Sequence, residues 1–218
     1  MIIPKIKICC ISSVEEAQLA IGCGATSLGL VSSMPSGPGP ISEELIAEIV
    51  THIPDDIASF LLTSKQDADS IIAQQRKTKT TALQLVDSVS IDVYATLRTA
   101  LPTISIVQVI HVIDESSVDE AKSVAPFVDM ILLDSGNPKL TIKELGGTGR
   151  RHDWSLSKKI VQSVNIPVFL AGGLNAENVR EAIDVVQPYG LDLCSGVRTN
   201  GKLDEVKLRR FFKTISIC

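Results

Sequence analysis

Short apolar runs alternate with amphipathic stretches along the whole chain. The runs are typical of strands that are buried on both faces, and the stretches between them repeat apolar positions at helical spacing. Strands are predicted near 5–9, 26–31, 57–63, 82–86, 104–110, 128–134, 167–171 and 191–194. Helices are predicted near 14–23, 42–52, 66–78, 90–100, 115–125, 155–164, 176–186 and 204–214. The pattern therefore predicts eight strand–helix units.

Eight such units, at about 27 residues each, match the size of a (β/α)8 barrel. A doubly wound sheet is the competing architecture, but it normally carries a glycine-rich phosphate turn after the first strand. That turn here reads Cys10-Ile11-Ser12-Ser13, and the glycines cluster late in the chain instead. No linker divides the sequence, and the Pro- and Gly-rich stretch 35–40 is interpreted as a stiff loop. We expect one α/β TIM barrel domain over residues 1–218.

Composition and charge exclude several classes of protein. Hydrophobic residues make up 44% of the 218 residues and charged residues 21%, which argues against a disordered chain. The apolar runs are too short to span a bilayer, and the net charge of −4 disfavours a nucleic-acid binder. The start, Met1 to Lys7, lacks the layout of a secretory signal, so we expect a cytoplasmic protein. Five cysteines without a C-x-x-C pair indicate neither a disulfide framework nor a zinc ribbon.

The late glycines follow predicted strands seven and eight. Gly172 and Gly173 come directly after one strand, and Ser195 and Gly196 after the other. Barrels of this class often bind phosphate on these two loops, because glycine lets backbone N–H groups approach an anion closely. The alternative is that the glycines only form tight turns. Two such loops on consecutive strands favour phosphate binding.

A thiol and a carboxylate end two other strands. Cys9 closes predicted strand one and Asp134 closes predicted strand six, both at the end of the barrel where catalysis takes place. Such a pair can serve as base and acid in a proton transfer. The alternative is structural, with a buried cysteine and an Asp that caps a turn. Cys10 is a second candidate thiol, but strand alternation predicts that it points away from Cys9.

Motifs along nearly the whole chain resemble the phosphoribosylanthranilate isomerases of tryptophan biosynthesis. The resemblance begins with Lys7-Ile8-Cys9 and includes Gln84-Leu85 and Leu132-Leu133-Asp134-Ser135. It continues through Gly146-Gly147-Thr148-Gly149, Asp153-Trp154 and the stretch Ala171-Gly172-Gly173-Leu174-Asn175, and ends with Asp192, Ser195-Gly196-Val197 and Asn200-Gly201-Lys202. Other phosphate-binding barrels share some of these glycine-rich pieces, but their combination in this order is specific.

The resemblance implies a cofactor-free Amadori rearrangement of an aminoaldose phosphate to an aminoketose phosphate. It assigns Cys9 as general base and Asp134 as general acid. It places the substrate phosphate on Gly172, Gly173, Ser195 and Gly196, and a site carboxylate, Asp192, near the anthranilate end. Lys7 and Gln84, which lie in the shared motifs, are taken as substrate-binding residues. No histidine has metal-ligand spacing, so we predict no metal.

The departures from the family pattern lie at the aromatic end of the substrate. The family's Pro-x-Ser-x-Arg loop binds the anthranilate carboxylate, and Gly39 takes the place of its arginine. Its Gln-Leu-His-Gly becomes Gln84-Leu85-Val86-Asp87, Cys10 replaces a glycine, and Arg198 replaces a glutamate. We hypothesise that Arg150, Arg151 or Arg198 supplies the missing cation. The alternative is that all three are surface charges or phosphate contacts.

The sequence thus predicts phosphoribosylanthranilate isomerase activity on a small phosphosugar substrate, in a monomer or homodimer. Two alternatives stay open at this point. One is a related isomerase or lyase that acts on a different phosphorylated sugar. The other is a barrel that binds a phosphorylated ligand without turning it over.

Overall fold

The computed structural model describes residues 4–216. Eight parallel strands follow one another around a closed barrel, and β1 pairs with β8 to close it. The strands are β1 (Lys5–Ile8), β2 (Ser27–Val31), β3 (Ala58–Thr63), β4 (Ala82–Leu85), β5 (Ser105–His111), β6 (Met130–Asp134), β7 (Val168–Leu170) and β8 (Gly190–Leu193). The predicted TIM barrel is confirmed. The domain limits 1–218 stay a prediction, because residues 1–3 and 217–218 lie outside the described residues.

Eight helices surround the strands. They are α1 (Val14–Cys23), α2 (Glu43–Val50), α3 (Ala68–Thr78), α4 (Ile91–Ala100), α5 (Ser116–Val124), α6 (Trp154–Ser163), α7 (Val179–Val186) and α8 (Glu205–Ser216). Helix α7 starts later than predicted, because the side chains of Asn175 and Asn178 bond backbone N–H groups of residues 175–178 and hold that segment in turns. No helix within residues 4–216 is long and apolar enough to cross a membrane.

Two short features after β8 were not predicted. A 3-10 turn over Ser195–Val197 leads into a hairpin of two-residue strands, β9 (Arg198–Thr199) and β10 (Lys202–Leu203). Strands this short carry no readable alternation of apolar and polar residues. The hairpin matters for the site because it holds Arg198.

The strands divide the core into two layers. On β1, Ile6 and Ile8 pack outward against the helices, whereas Lys7 between them points into the barrel. The interior layer is made mainly of apolar side chains such as Phe60, Val107 and Phe169. These apolar side chains fill the interior of the barrel.

Gly190 tests how tightly the interior is packed. A Cβ atom at this position would lie 2.3 Å from the ring of Phe169, which is itself held between Phe60 and Tyr189. We expect Gly190→Ala to lower the free energy of unfolding by about 1–3 kcal/mol, measured by urea denaturation. The control is Gly22→Ala on α1, where nothing lies within 4 Å and alanine gains up to about 1 kcal/mol in helix propensity. Equal stability of Gly190→Ala and wild type would contradict this packing.

Candidate active site

A cavity of about 690 Å³, part of it open to solvent, lies at the carboxyl ends of the strands. Seven of the predicted site residues line it: Cys9, Gln84, Asp134, Gly172, Gly173, Asp192 and Ser195. The apolar part of the wall is formed by Val31, Met34, Leu62, Val86, Leu145 and Leu174.

Cys9 follows β1 directly, and its side chain is 6% exposed. Its backbone N–H donates to the carbonyl of Leu193 at 2.7 Å, which fixes its height in the barrel. Gly29 on β2 makes room for the thiol, because a Cβ there would lie 2.8 Å from Cys9 Sγ and 3.1 Å from Lys7 Nζ. The thiol and the Lys7 ammonium are therefore neighbours.

Asp134 ends β6 on the cavity wall. Its Oδ1 accepts a hydrogen bond from the backbone N–H of Ser135 at 2.7 Å. Its Oδ2 faces Gly146, whose φ of 124° belongs to the left-handed region and where a Cβ would lie 2.5 Å from that oxygen. The hydroxyl groups of Ser135 and Thr148 lie 2.7 Å apart and tie the loop after β6 back to the strand end. The carboxylate is thus held from one side and faces the cavity with the other.

Lys7 and Asp192 form a buried ion pair across the β1–β8 seam, with Lys7 Nζ 2.8 Å from Asp192 Oδ2. Burial lowers the pKa of Lys7, but the charge and hydrogen bond of Asp192 outweigh it, so this pKa lies above its usual value. Burial raises the pKa of Asp192, and Lys7 offsets part of the rise. The pair is ionised at neutral pH, because a neutral carboxyl would leave a fully buried ammonium without a counter-charge.

Two buried oxygens on the cavity wall have no hydrogen-bond partner among the described residues. They are Gln84 Oε1 and Asp192 Oδ1. Buried polar atoms are normally paired, so unpaired acceptors at a cavity indicate a place for ligand donors. Both atoms suit the hydroxyl or N–H groups of a substrate.

The predicted phosphate residues Gly172, Gly173, Ser195 and Gly196 form a cradle in which three loops meet. A Cβ at Gly173 would lie 2.9 Å from the carbonyl oxygen of Gly149, and one at Gly196 would lie 2.0 Å from that of Leu174. No described residue accepts a hydrogen bond from the backbone N–H of Gly172 or Gly173. Glycines at these positions let the loops after β6, β7 and β8 approach one another and leave donors available for an anion.

The three arginines proposed as a carboxylate anchor are not among the residues that line the cavity. Arg150 pairs with Glu144. Arg151 pairs with Glu181 at 3.1 Å and lies over the ring of the buried Trp154 at 3.4 Å. These contacts argue against a direct role of either residue at the aromatic end of a substrate.

Arg198 lies behind the site rather than in it. Its guanidinium donates to both carboxylate oxygens of Glu16 at 3.0 Å and to the carbonyls of Cys9 and Cys10 at 3.1 and 2.5 Å. It is 8% exposed, and burial, which lowers its pKa, is outweighed by Glu16, so the pKa lies above its usual value. Its position supports the backbone that carries the Cys9 thiol.

The expectation that Cys10 points away from Cys9 is wrong, because both line the same cavity. Strand β1 ends at Ile8, and Cys10 has a φ of 62°, so strand alternation no longer applies. The Cys10 side chain takes the space in front of Gly39, where a Cβ would lie 2.6 Å from Cys10 Cβ. The glycine in the family's arginine position and the cysteine in its glycine position are therefore sterically coupled.

Cys194 is a residue of the cavity for which no role was predicted from the sequence. It follows β8 as Cys9 follows β1, lines the cavity, and its Sγ lies 2.9 Å from Cys10 Sγ. The pairing of β1 with β8 in the barrel is the feature that brings these thiols together. Among the described residues, no group of three or more His, Cys, Asp or Glu is arranged to hold a metal ion.

The steric coupling of residues 10 and 39 is measurable by a double-mutant cycle. Gly39→Ala is expected to destabilise the wild type by more than it destabilises Cys10→Gly, with a coupling energy of about 1–2 kcal/mol. The left-handed strain at Gly39 is the same in both backgrounds and cancels. The matched control is Gly201→Ala, which has a φ of 79° but no neighbour within 4 Å, so it has the strain without the contact. Zero coupling between Cys10 and Gly39 would contradict the contact.

His152 supports the glycine cradle, and its protonation makes the stability of the protein depend on pH. Burial lowers its pKa to about 4, and its Nε2 lies 2.7 Å from Ser157 Oγ. Because the unfolded chain binds the proton near pH 6.5, stability conferred by neutral His152 is present above that pH and is lost as the pH falls toward 4. The full effect of this shift, from 6.5 to about 4, is about 3 kcal/mol. In urea denaturation at pH 7 and pH 4.5, wild type should lose more stability than His152→Gln. Equal losses would show that His152 is not buried neutral.

Comparisons with known proteins agree with this geometry. Residues 6–214 match the family model described as N-(5'phosphoribosyl)anthranilate (PRA) isomerase. N-(5'-phosphoribosyl)anthranilate isomerase 2 of Methanosarcina mazei is 40% identical over 209 residues, covering 95% of this chain and 92% of that protein. The crystal structure of phosphoribosyl anthranilate isomerase from Thermotoga maritima superposes with a TM-score of 0.83 at 29% identity, covering 98% of both chains.

A further solved phosphoribosyl anthranilate isomerase is in complex with reduced 1-(o-carboxyphenylamino)-1-deoxyribulose 5-phosphate. It superposes with a TM-score of 0.80 at 28% identity, covering 98% of both chains. The family match covers nearly all of the chain, and the relatives match it over most of their own length. This chain belongs to the N-(5'-phosphoribosyl)anthranilate isomerase family.

Proposed function

We propose that the protein converts N-(5'-phosphoribosyl)anthranilate to 1-(o-carboxyphenylamino)-1-deoxyribulose 5-phosphate, with Cys9 as general base and Asp134 as general acid. The observation that carries this proposal is that Cys9, Asp134 and three of the four cradle residues, Gly172, Gly173 and Ser195, line one cavity. A phosphosugar held in that cradle would extend between the thiol and the carboxylate. Membership of the isomerase family supports the same reaction.

The reaction needs two proton transfers. Asp134 donates a proton to the ring oxygen as the bond from that oxygen to C1 breaks, and the anthranilate nitrogen forms a protonated Schiff base with C1. This cation acidifies the neighbouring C2–H bond, and the Cys9 thiolate takes that proton. The enolamine that results tautomerises to the aminoketose. No electron leaves the substrate, so the proposal includes neither a cofactor nor a metal.

The remaining predicted residues bind the substrate in this proposal. Backbone N–H groups at Gly172, Gly173, Ser195 and Gly196 hold the phosphate. Gln84 Oε1 and Asp192 Oδ1, which lack other partners, accept hydrogen bonds from the ribose hydroxyls or the anthranilate N–H. Lys7 fixes Asp192 by its ion pair and places a positive charge beside Cys9.

The arginines have other roles in this proposal. Arg198 is a positioning residue, since it donates hydrogen bonds to the backbone carbonyls of Cys9 and Cys10 and forms an ion pair with Glu16. Arg150 and Arg151 stabilise the loop after β6 through Glu144 and Glu181. This replaces the hypothesis that one of the three binds the substrate carboxylate.

One observation favours a second candidate function. The described residues that line the cavity include Asp134 and Asp192 but no lysine or arginine. An aromatic carboxylate at the wall of Val31, Met34 and Leu62 would have no cationic partner among them. The second candidate is therefore the same rearrangement on an aminoaldose phosphate whose amine substituent lacks a carboxylate.

The predicted localisation, oligomeric state and binding partners of the protein stay proposals. We propose a cytoplasmic enzyme that acts as a monomer or homodimer on a small phosphosugar and does not bind nucleic acid. These expectations rest on the sequence and on the function proposed above.

Turnover of freshly generated phosphoribosylanthranilate, followed by the loss of its fluorescence, tests the reaction. Cys9→Ala and Asp134→Asn should each lower kcat by about 10²–10⁴-fold, because each removes a proton-transfer group. The matched control is Cys23→Ala, which removes a thiol on α1 and should leave turnover unchanged. Full activity of either site variant would contradict the assigned roles, and saturable binding without turnover by folded wild type would indicate a binding protein.

The same assay separates the two candidate substrates. The N-(5'-phosphoribosyl) derivative of aniline differs from phosphoribosylanthranilate only by the carboxylate. A kcat/KM for the anthranilate compound at least tenfold higher supports the first candidate. A ratio near or below one supports the second.

A further inference from the structure

Three thiols meet at the mouth of the barrel, and the proposed mechanism uses one of them. Cys9 and Cys10 follow β1, and Cys194 follows β8, 184 residues after Cys10. The thiols of Cys10 and Cys194 are hydrogen-bonded to each other with their sulfur atoms 2.9 Å apart. A disulfide bond has an S–S length of about 2.05 Å, so the two sulfur atoms would have to approach each other by roughly 0.9 Å to form it.

The surrounding residues hold Cys10 in this position. Its backbone has a φ of 62°, and the missing side chain of Gly39 leaves room for its Cβ and Sγ. Its thiol also donates a hydrogen bond to the carbonyl of Pro38 at 3.6 Å, and its backbone carbonyl accepts a hydrogen bond from Arg198. Cys10 therefore faces Cys194 because several independent contacts place it there.

The two thiols differ in a way that suits thiol oxidation. The hydrogen bond between Cys194 and Cys10 lowers the pKa of Cys194 despite its burial, and the charge of Arg198 lowers it further. The same hydrogen bond, a contact with Cys9 and burial all raise the pKa of Cys10. Cys194 is the more exposed of the two and lines the open cavity. A small solute can thus reach the thiol that ionises more readily, with a second thiol next to it.

We propose that Cys10 and Cys194 are a redox-active dithiol, which a peroxide oxidises to a disulfide at the mouth of the active site. The Cys194 thiolate attacks one peroxide oxygen, the O–O bond breaks, and a sulfenic acid and one water form after proton uptake. The Cys10 thiol then attacks the sulfenic sulfur, the S–S bond forms and a second water leaves. Two thiols lose two electrons and hydrogen peroxide gains them, and an added dithiol reduces the disulfide back to two thiols while it is itself oxidised to a disulfide.

The disulfide would act on substrate binding. Ser195 of the glycine cradle is bonded directly to Cys194, so drawing Cys194 toward Cys10 displaces one side of the cradle. Cys9 keeps its thiol in the oxidised form. The loss of activity rests on the proposed function, whereas formation of the disulfide does not.

The test treats the purified full chain with one to five equivalents of hydrogen peroxide and then blocks remaining thiols with N-ethylmaleimide. Before alkylation the monomer mass should fall by 2 Da, and after alkylation a peptide map should link Cys10 to Cys194. Dithiothreitol should restore the mass. Cys194→Ser and Cys10→Gly, which suits the left-handed backbone, should not form the link, whereas Cys23→Ser should form it as wild type does.

Activity is read in parallel. Wild type should lose at least tenfold in kcat/KM and recover it with dithiothreitol, whereas Cys194→Ser should keep its activity at the same dose. The proposal is overturned if peptide mapping shows Cys9 oxidised or disulfide-linked while Cys10 and Cys194 are still alkylated. It is also overturned if the link forms only between two chains. Mapping decides this without turnover, so an inactive protein that forms the link would refute the proposed function alone.

Discussion

The Lys7–Asp192 ion pair is the interaction on which the site depends. An ammonium group at 0% exposure inside a barrel is tolerated only when a counter-charge is held beside it. Because the two residues are also register partners in the β1–β8 ladder, a slip of that ladder would separate the charges as well as break backbone hydrogen bonds. The pair therefore fixes the height at which β1 and β8 end. That height decides where Cys9, Cys194 and the Ser195 turn enter the cavity.

Close approach of backbone segments is the second constraint. The loops after β6, β7 and β8 approach one another at Gly149, Gly173 and Gly196. A Cβ atom at Gly173 or at Gly196 would collide with the backbone of a neighbouring loop. The loops after β2 and β6 are joined as well, since Ser36 Oγ donates to the carbonyl of Lys143 at 2.6 Å. These contacts between loops hold the walls of the cavity together.

The barrel was predictable from the apolar runs, and the parallel-strand rule placed Cys9 and Asp134 at one end of it. Gln84 and Asp192 were assigned to the site by the family resemblance. The family resemblance was confirmed, and the roles of the individual residues remain proposals. The orientation of Cys10 was not predictable, since it depends on a left-handed backbone and on the space at Gly39. The position of Arg198 was not predictable either. It depends on Glu16, which is 182 residues away in the sequence, and on backbone carbonyls. Every residue has a backbone carbonyl, so no residue type marks these contacts in the sequence.

The seam between β1 and β8 also has a consequence for biosynthesis. Lys7 and Cys9 are made well before Asp192 and Arg198, which neutralise and hold them. Lys7 and Asp192 are 185 residues apart. At roughly 5–20 residues per second, the ribosome needs on the order of 10–40 s to cover that distance. During this time the nascent chain carries the Cys9 and Cys10 thiols without their barrel partners, and the cavity cannot assemble before the last strand emerges.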